Sequence, residues 1–111
     1  MKLKPATCVK IQVSCPKSAS HAVRLAIGKA GGGMIGNYTY CAFVTNGDGY
    51  FMPMPGSHPT IGTPGKIEKV EEVKIEFVCE QSKVKNVIEA IKTAHPYEEV
   101  PIDIWPLFSP E

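Results

Sequence analysis

The densest group of titratable side chains in this 111-residue chain is the run His95-Pro96-Tyr97-Glu98-Glu99, with Asp103 close behind it. An imidazole beside paired carboxylates can transfer protons in catalysis, and the same side chains can ligate a metal ion. A structural role explains the same residues. His95 would end a helix near its exposed carbonyls, and Pro96 would direct the chain into a strand. Both interpretations stay open.

Two further histidines stand apart from this run. His21 lies on the polar side of a predicted helix, and His58 lies in a proline-rich segment. A transition-metal site made of protein ligands would need all three histidines to converge, or two subunits to contribute jointly. We predict that His21 and His58 are solvated surface residues, because neither belongs to a motif with ligand spacing.

The glycine-rich run Gly31-Gly32-Gly33-Met34-Ile35-Gly36-Asn37 is the second candidate site. A phosphate-binding loop lies between a strand and the start of a helix, where free N–H groups converge. This run instead follows a predicted helix, so we expect it to terminate that helix and lead flexibly into the next strand. An anion-binding loop at an interface is the alternative.

The four cysteines, Cys8, Cys15, Cys41 and Cys79, all fall in strand-like segments and form no CxxC pair. Their spacing does not suit a zinc site. We predict reduced core thiols, with a redox or metal role as the alternative.

The charge balance excludes several classes of partner. Twelve Lys and Arg against eleven Asp and Glu give a formal charge of +1, so no long-range field attracts nucleic acid or an anionic membrane. The N-terminal residues lack the apolar run of a signal peptide, and no stretch approaches the ~20 apolar residues of a membrane span. We expect a cytoplasmic protein that binds neither nucleic acid nor membrane.

The first half of the chain shows a strand and a helix. Alternation over residues 8–15 predicts a half-buried strand. Ser18 can cap the following helix, whose narrow alanine-rich stripe suits close packing on a sheet. Gly28 inside this helix costs about 1 kcal/mol relative to alanine. A strand over 38–45 follows, and Asn46-Gly47-Asp48-Gly49 predicts a tight hairpin that returns over 50–52.

The second half repeats the pattern. Residues 52–65 contain four prolines and three glycines, which predicts an irregular, mobile loop. Residues 67–79 alternate as a long strand. Ser82 can cap a second amphipathic helix that ends at His95-Pro96. A last strand runs through Ile104 towards Pro106 and leaves a short tail.

Together these elements predict one domain over 1–111, with its core at about 7–107. The fold class is α+β, a ferredoxin-like split βαβ arrangement in which two helices cover one face of an antiparallel sheet. Four aromatic residues do not all fit on the covered face, and self-association is the economical explanation for them. They are Tyr40, Phe43, Phe51 and Trp105.

Several short motifs, standing in one order over residues 9–107, together resemble a known family. They are Gly36-Asn37-Tyr38, Cys41-Ala42-Phe43, Gly47, Gly49, Phe51-x-Pro53, Ile61-Gly62, the run from Gly65 to Val73, His95-Pro96-Tyr97-Glu98-Glu99 and Asp103-Ile104-Trp105-Pro106-Leu107. The sequence resembles the middle domain of the Nif-three proteins, the NGG-one-interacting-factor-three family labelled dinuclear-metal or GTP cyclohydrolase I type 2-like. The resemblance implies a stand-alone PII/CutA-like insert without the flanking domains that build the family's two-metal site.

The segment His95-Pro96-Tyr97-Glu98 also resembles the end of the CutA divalent-cation-tolerance proteins, which are trimers on the same fold. That resemblance implies a homotrimer with its sheets facing inward. It also implies an alternative function, the binding of copper or zinc across a subunit boundary. The metal ligands would be His95, Glu98 and Glu99, with His58 as an optional fourth. No other cofactor is expected.

The leading hypothesis is a non-enzymatic regulatory or ligand-binding module that binds a small molecule or a protein partner in clefts between subunits. Its expected ligand-binding or interface residues are Gly36, Asn37, Tyr38, His95, Pro96, Tyr97, Glu98 and Glu99. No catalytic residue is expected, because no nucleophile–base pair or two-metal ligand set can be identified. The remaining alternative is the remnant of a metal-dependent hydrolase or cyclohydrolase that is inactive without flanking metal domains.

Overall fold

The computed structural model describes residues 1–110 as a four-stranded antiparallel sheet with two helices. Along the chain the elements are β1 (Leu3–Pro16), α1 (Ser20–Lys29), β2 (Phe43–Phe51), β3 (Glu68–Glu80), α2 (Val84–Ala94) and β4 (Ile102–Pro110). The strand order is β2-β3-β1-β4. This arrangement confirms the predicted α+β, ferredoxin-like fold. No helix within residues 1–110 is long and apolar enough to cross a membrane.

The hydrophobic core lies between the helices and the two central strands. Register places Ile11 opposite Phe77 and Val13 opposite Ile75, so the alternating apolar residues of β1 and β3 share one face. The helices add the remaining buried residues, Val23, Ile27, Val87 and Ile91. Each such side chain contributes roughly 1.5–3 kcal/mol when fully buried. The alternation in the sequence therefore identified the covered face correctly.

The tight hairpin predicted at Asn46-Gly47-Asp48-Gly49 is wrong. These residues lie inside β2, where Asn46 is opposite Val73 and Gly49 is opposite Val70. β3 is 13 residues long and offers a pairing partner along the whole of β2, so the ladder overrides the local turn preference. The connection between β2 and β3 is instead the long irregular segment 52–67, which we call the 52–67 loop.

The entry into β2 is also later than predicted. The strand begins at Phe43, and before it Tyr40 has a left-handed backbone with φ of 60°. The Cys41 amide donates a hydrogen bond to the Gly33 carbonyl at 2.9 Å, which holds this irregular segment against the glycine run. Cys41 therefore lies outside the strands, contrary to the prediction.

The last strand is longer than predicted. β4 continues through Pro106 to Pro110, and its end pairs with Leu3, Lys4 and Pro5 of β1. β4 is an edge strand, where a proline can face away from the ladder without losing a hydrogen bond. The predicted tail is therefore part of the sheet within the described residues.

Neither predicted serine cap is present. Ser18 and Ser82 lie inside short 3₁₀ turns, Lys17–Ala19 and Gln81–Lys83, that lead into the two helices. No side chain caps the start of either helix. The 3₁₀ turns use backbone hydrogen bonds in place of the side-chain oxygen. α2 ends where predicted, since His95 has an extended backbone.

The glycine inside α1 has a structural reason. A Cβ atom at Gly28 would collide with the ring of Tyr40, which lies against this helix. Tyr40 is therefore the one of the four aromatic residues that lies against a helix. Phe43 and Trp105 do lie on the open face of the sheet, opposite Glu76 and Lys10. They are 68% and 44% exposed.

All four cysteines are free thiols, and their burial predicts an order of reactivity. Burial raises the pKa of Cys15 to about 11 and also raises the pKa of Cys79. Burial, followed by the hydrogen bond to Glu80, raises the pKa of Cys8.

Because the thiolate is the reactive form, a disulfide reagent at mildly alkaline pH should modify Cys41 first, Cys8 next, and Cys15 and Cys79 only as the domain opens. Counting released chromophore in the native and urea-unfolded protein checks this order, and Cys41→Ser should remove the fast phase. A fast phase that survives Cys41→Ser would contradict it.

Candidate functional site

A cleft of about 850 Å³ lies between the 52–67 loop and the segment 95–101 that follows α2. We call it the loop cleft. Glu72 of β3 and Ser14 of β1 line its floor, and Phe51 at the end of β2 lines one side. The two walls are the proline-rich loop and residues 97–101, which include the Tyr97-Glu98-Glu99 part of the run that the sequence singled out. A local cluster of titratable residues therefore borders a real cavity.

The 52–67 loop is anchored to the opposite wall by two hydrogen bonds. The His58 amide donates to Glu98 Oε1 at 2.9 Å, and the Thr60 hydroxyl donates to the Pro96 carbonyl at 2.6 Å. A further backbone bond, from the Gly65 amide to the Pro53 carbonyl at 2.9 Å, closes the base of the loop. The segment predicted to be mobile is thus held at defined points, and Glu98 acts as one of its anchors.

His95 fixes the position of the 95–101 segment. Its side chain is buried, with 6% of its surface exposed. Nδ1 accepts a hydrogen bond from the Tyr97 amide at 3.1 Å, and Nε2 lies 2.7 Å from the Ser14 carbonyl. These contacts require the Nε2–H tautomer, so the imidazole donates to β1 and not to the carbonyls of α2. His95 therefore ties the segment to the central strand.

Tyr97 connects the segment to the floor of the cleft. Its hydroxyl donates a hydrogen bond to Glu72 Oε2 at 2.9 Å. Its ring meets Phe51 edge-on, with ring centroids 5.8 Å apart. Burial raises the pKa of Tyr97 above its usual range, and the hydrogen bond and charge of Glu72 raise it further. The phenol is thus held in its protonated form beside a carboxylate.

The loop cleft is acidic. Glu72, Glu98 and Glu99 line it, and no Lys, Arg or His of residues 1–110 does so. Two ion pairs lie elsewhere on β3, Lys17–Glu71 and Lys69–Asp48, and neither of them neutralises the cleft. The local charge is therefore negative although the chain as a whole is nearly neutral.

The other predicted site residues lie elsewhere in the same chain. Gly36, Asn37 and Tyr38 belong to a segment that is held at the far end of β3, where the Gly33 amide donates to the Val78 carbonyl. Val78 and Glu72 are separated by about 20 Å along an extended strand. One chain alone does not bring the two groups together, and a shared site needs a second subunit. Their joint role stays a prediction.

The predicted metal ligands form no ready site. Within residues 1–110 no three His, Cys, Asp or Glu side chains are placed to hold a metal ion. Both ring nitrogens of His95 are already engaged, so its present geometry offers no lone pair to a metal. Glu98 and Glu99 remain available through their other oxygens. Metal binding at these residues stays a prediction.

Sequence reasoning missed Glu72, Ser14 and Phe51. Glu72 stands in a strand with several alternating charges, and nothing in its spacing separates it from Lys74 or Glu76. Its role follows from a contact with Tyr97, which is distant in sequence. Only the register between β1, β2 and β3 places it on the floor of the cleft.

The Tyr97–Glu72 contact predicts a specific alkaline behaviour. Because the folded pKa of Tyr97 lies above the unfolded value of about 10, its contribution to stability is full below that pH and is lost as the pH rises through the folded pKa. The free energy of unfolding should therefore fall more steeply above pH ~10 in the wild type than in Tyr97→Phe. At neutral pH the variant should lose about 1 kcal/mol.

Urea titrations at several pH values measure this difference. Tyr38→Phe, at a tyrosine that is 74% exposed, is the matched control and should follow the wild type. Parallel pH profiles for the wild type and Tyr97→Phe would contradict the assignment.

Comparison with solved structures first gives the class of fold. CutA from Archaeoglobus fulgidus matches 90% of this chain and 83% of its own with a TM-score of 0.63 at 15% identity. CutA1 from Shewanella sp. SIB1 matches 97% and 88% with a TM-score of 0.67 at 14% identity. At these identities the likeness shows the fold alone. The chain is a CutA-like α+β domain.

Sequence comparison gives the proteins that this chain is related to. No family model matches the chain. The GTP cyclohydrolase 1 type 2 homolog of Bacillus subtilis is 47% identical over 98 residues, and that of Halalkalibacterium halodurans is 44% identical over 98 residues. A Bacillus cereus protein related to NIF3 superposes on 96% of this chain with a TM-score of 0.79 and 41% identity. The chain is therefore similar, in sequence and in structure, to part of the NIF3-family proteins, as the motifs predicted. It spans about a quarter of the length of these relatives, 26% of each curated one and 27% of the solved chain.

Proposed function

We propose that this domain is a regulatory or small-ligand-binding module and that the loop cleft is its binding site. The observation that carries the proposal is a cleft of about 850 Å³ whose walls are joined by hydrogen bonds. Small-molecule sites are concave, roughly 300–1,000 Å³ in volume, and combine apolar walls with a few fixed polar groups. Here Phe51 supplies the apolar wall, and Glu72 and Tyr97 supply the fixed polar floor.

Binding without catalysis is the better interpretation of the cleft. The imidazole of His95 is buried and uses both nitrogens to hold the fold, so it is not placed as a general base towards the cavity. Burial, followed by the hydrogen bond to Glu72, raises the pKa of Tyr97 and keeps it a protonated phenol. The name of the curated relatives belongs to proteins of which this chain covers 26%. We therefore assign no reaction to this segment by itself.

Homo-oligomerisation is part of the proposal, with a trimer as the expected state. The open face of the sheet carries Phe43 and Trp105. The two outer strands, β2 and β4, each have one edge that no other strand of residues 1–110 covers, so a second subunit could pair there. Large exposed apolar side chains on a small domain usually mark an interface. In such an assembly Gly36, Asn37 and Tyr38 of one subunit can complete the cleft of the next.

Thermal unfolding with a panel of ligands tests the proposed function. Nucleotides, amines, organic acids and divalent metals should include at least one compound that raises the Tm, because a ligand that binds only the native state adds stability. Light scattering after gel filtration gives the subunit number in the same samples. A monomer whose Tm responds to no member of the panel would contradict the proposal.

Divalent metal binding is the second candidate. One observation favours it: the backbone contact from His58 to Glu98 brings an imidazole-bearing loop to a pair of carboxylates. Copper or zinc titration should give binding that is weakened by His58→Ala and by Glu98→Gln, with exposed His21→Ala as the control. Equal affinity in all four proteins would remove this candidate.

A further inference from the structure

The charges around the loop cleft select against anionic ligands. Glu72, Glu98 and Glu99 border it, and within residues 1–110 the cleft lining contains no cationic side chain. A phosphate or carboxylate ligand would meet like charges and no Lys or Arg to pair with. A cation would meet a complementary potential. The sign of the ligand charge is therefore constrained by the geometry.

The walls of the cleft are apolar and suit a ligand with an apolar body. They are formed largely by Tyr50, Phe51, Met52, Met54 and Ile61. Phe51 and Tyr97 pack in an edge-to-face arrangement, which fixes the orientation of this aromatic wall. Aromatic faces attract cations, and thioether side chains adapt to the shape of an apolar ligand. An inorganic cation alone would leave these walls unused.

Glu72 is the natural anchor for a cationic group. Oε2 accepts the Tyr97 hydroxyl, whereas Oε1 accepts no hydrogen bond from residues 1–110. Oε1 lies over Gly49, where a Cβ atom would collide with the carboxylate. Gly49 thus leaves room for the carboxylate, and Tyr97 sets its orientation. One oxygen is free to accept from a ligand ammonium group.

We propose that the loop cleft binds an organic monocation, a protonated primary amine on a flat apolar body, with the ammonium on Glu72 Oε1 and the body against Phe51. This inference rests on the proposed function of the cleft and names its ligand class. Nucleotides are not expected to bind in this cleft, since a nucleoside triphosphate carries the opposite charge.

Isothermal titration calorimetry with two probes that share a phenylethyl body and differ in charge tests the charge preference. Phenethylammonium chloride carries the cation, and sodium 3-phenylpropionate places a carboxylate on the same apolar body. The amine should bind at least tenfold more tightly than the acid, because a charge-assisted hydrogen bond to Glu72 replaces repulsion. GTP, added as a competitor, should not displace the amine.

Glu72→Gln keeps the shape and the acceptor for Tyr97 but removes the charge. It should weaken amine binding about tenfold. Glu71→Gln is the matched control, because Glu71 is exposed and pairs with Lys17, and it should change the affinity less than twofold. Circular dichroism confirms that both variants are folded.

Each alternative outcome overturns the inference in a recognisable way. Tighter binding of phenylpropionate or GTP, or an amine affinity unchanged in Glu72→Gln, would refute the amine class while leaving a ligand-binding cleft in place. Absence of any binding by the three probes, together with a Tm that no panel compound raises, would refute both the amine class and the proposed function.

Discussion

His95→Ala should lower the free energy of unfolding by about 3 kcal/mol, because it leaves two partly buried backbone groups without partners and empties a buried site. The Ser14 carbonyl and the Tyr97 amide lose the ring nitrogens that now pair with them. Each unpaired buried group costs roughly 1–3 kcal/mol, and the vacated volume adds to this cost. The effect would identify His95 as a structural clamp for the 95–101 segment.

Urea unfolding measures this change, and Trp105 is a convenient probe because it is the only tryptophan in the chain. His21→Ala is the matched control, since His21 is exposed on α1 and its loss should change stability by less than about 0.5 kcal/mol. If the two variants were equally stable, the clamp would be disproved. His95→Ala should also abolish ligand-induced stabilisation, because the wall of the cleft loses its attachment.

The second large effect is expected for Gly33→Ala, which should lower the free energy of unfolding by about 3 kcal/mol or more. Gly33 has φ of +76°, and a Cβ atom there would collide with the carbonyl oxygen of Cys41. The obstacle is backbone that is itself fixed by the hydrogen bond from the Cys41 amide to Gly33, so it cannot move aside cheaply. Strain and collision therefore add.

Gly36→Ala separates these two contributions. Gly36 also has a left-handed backbone, φ +55°, but no atom lies within 4 Å of its ideal Cβ position. It should cost only the conformational penalty of about 1 kcal/mol. The difference between the two variants in urea unfolding then measures the collision. Equal losses would show that the packing around Gly33 relaxes freely.

The fold was predictable where the pattern was long and the burial strong. Val9, Ile11, Val13 and Cys15 alternate without interruption, and the structure buries all of them. The motif resemblance also pointed to the NIF3-family proteins to which the chain is similar. Both signals involve many residues, so local exceptions do not erase them.

The errors arose where a short local signal met a long-range contact. Asn46-Gly47-Asp48-Gly49 has the composition of a tight turn, yet β3 pairs with it as a continuous strand. Gly28 looks unfavourable in a helix until the ring of Tyr40 is seen against it. Neither partner can be identified from neighbouring residues in the sequence.

Some residues of the candidate site could be predicted from the sequence and others could not, for the same reason. The residues from His95 to Glu99 attracted attention because of their types, and four of the five are found in hydrogen bonds that shape the cleft. Glu72 could not be predicted, because its importance depends on the register of three strands. The role of Gly36, Asn37 and Tyr38 depends on a second subunit and stays a prediction.

The most direct test of the loop cleft as a ligand site is amide chemical-shift mapping by NMR with the compound that raises the Tm most. We expect the largest shifts in the 52–67 loop, in the 95–101 segment and at Glu72, with further shifts at Gly36 to Tyr38 only if the subunits share a site. Shifts confined to the glycine run, or spread evenly over the surface, would contradict the account.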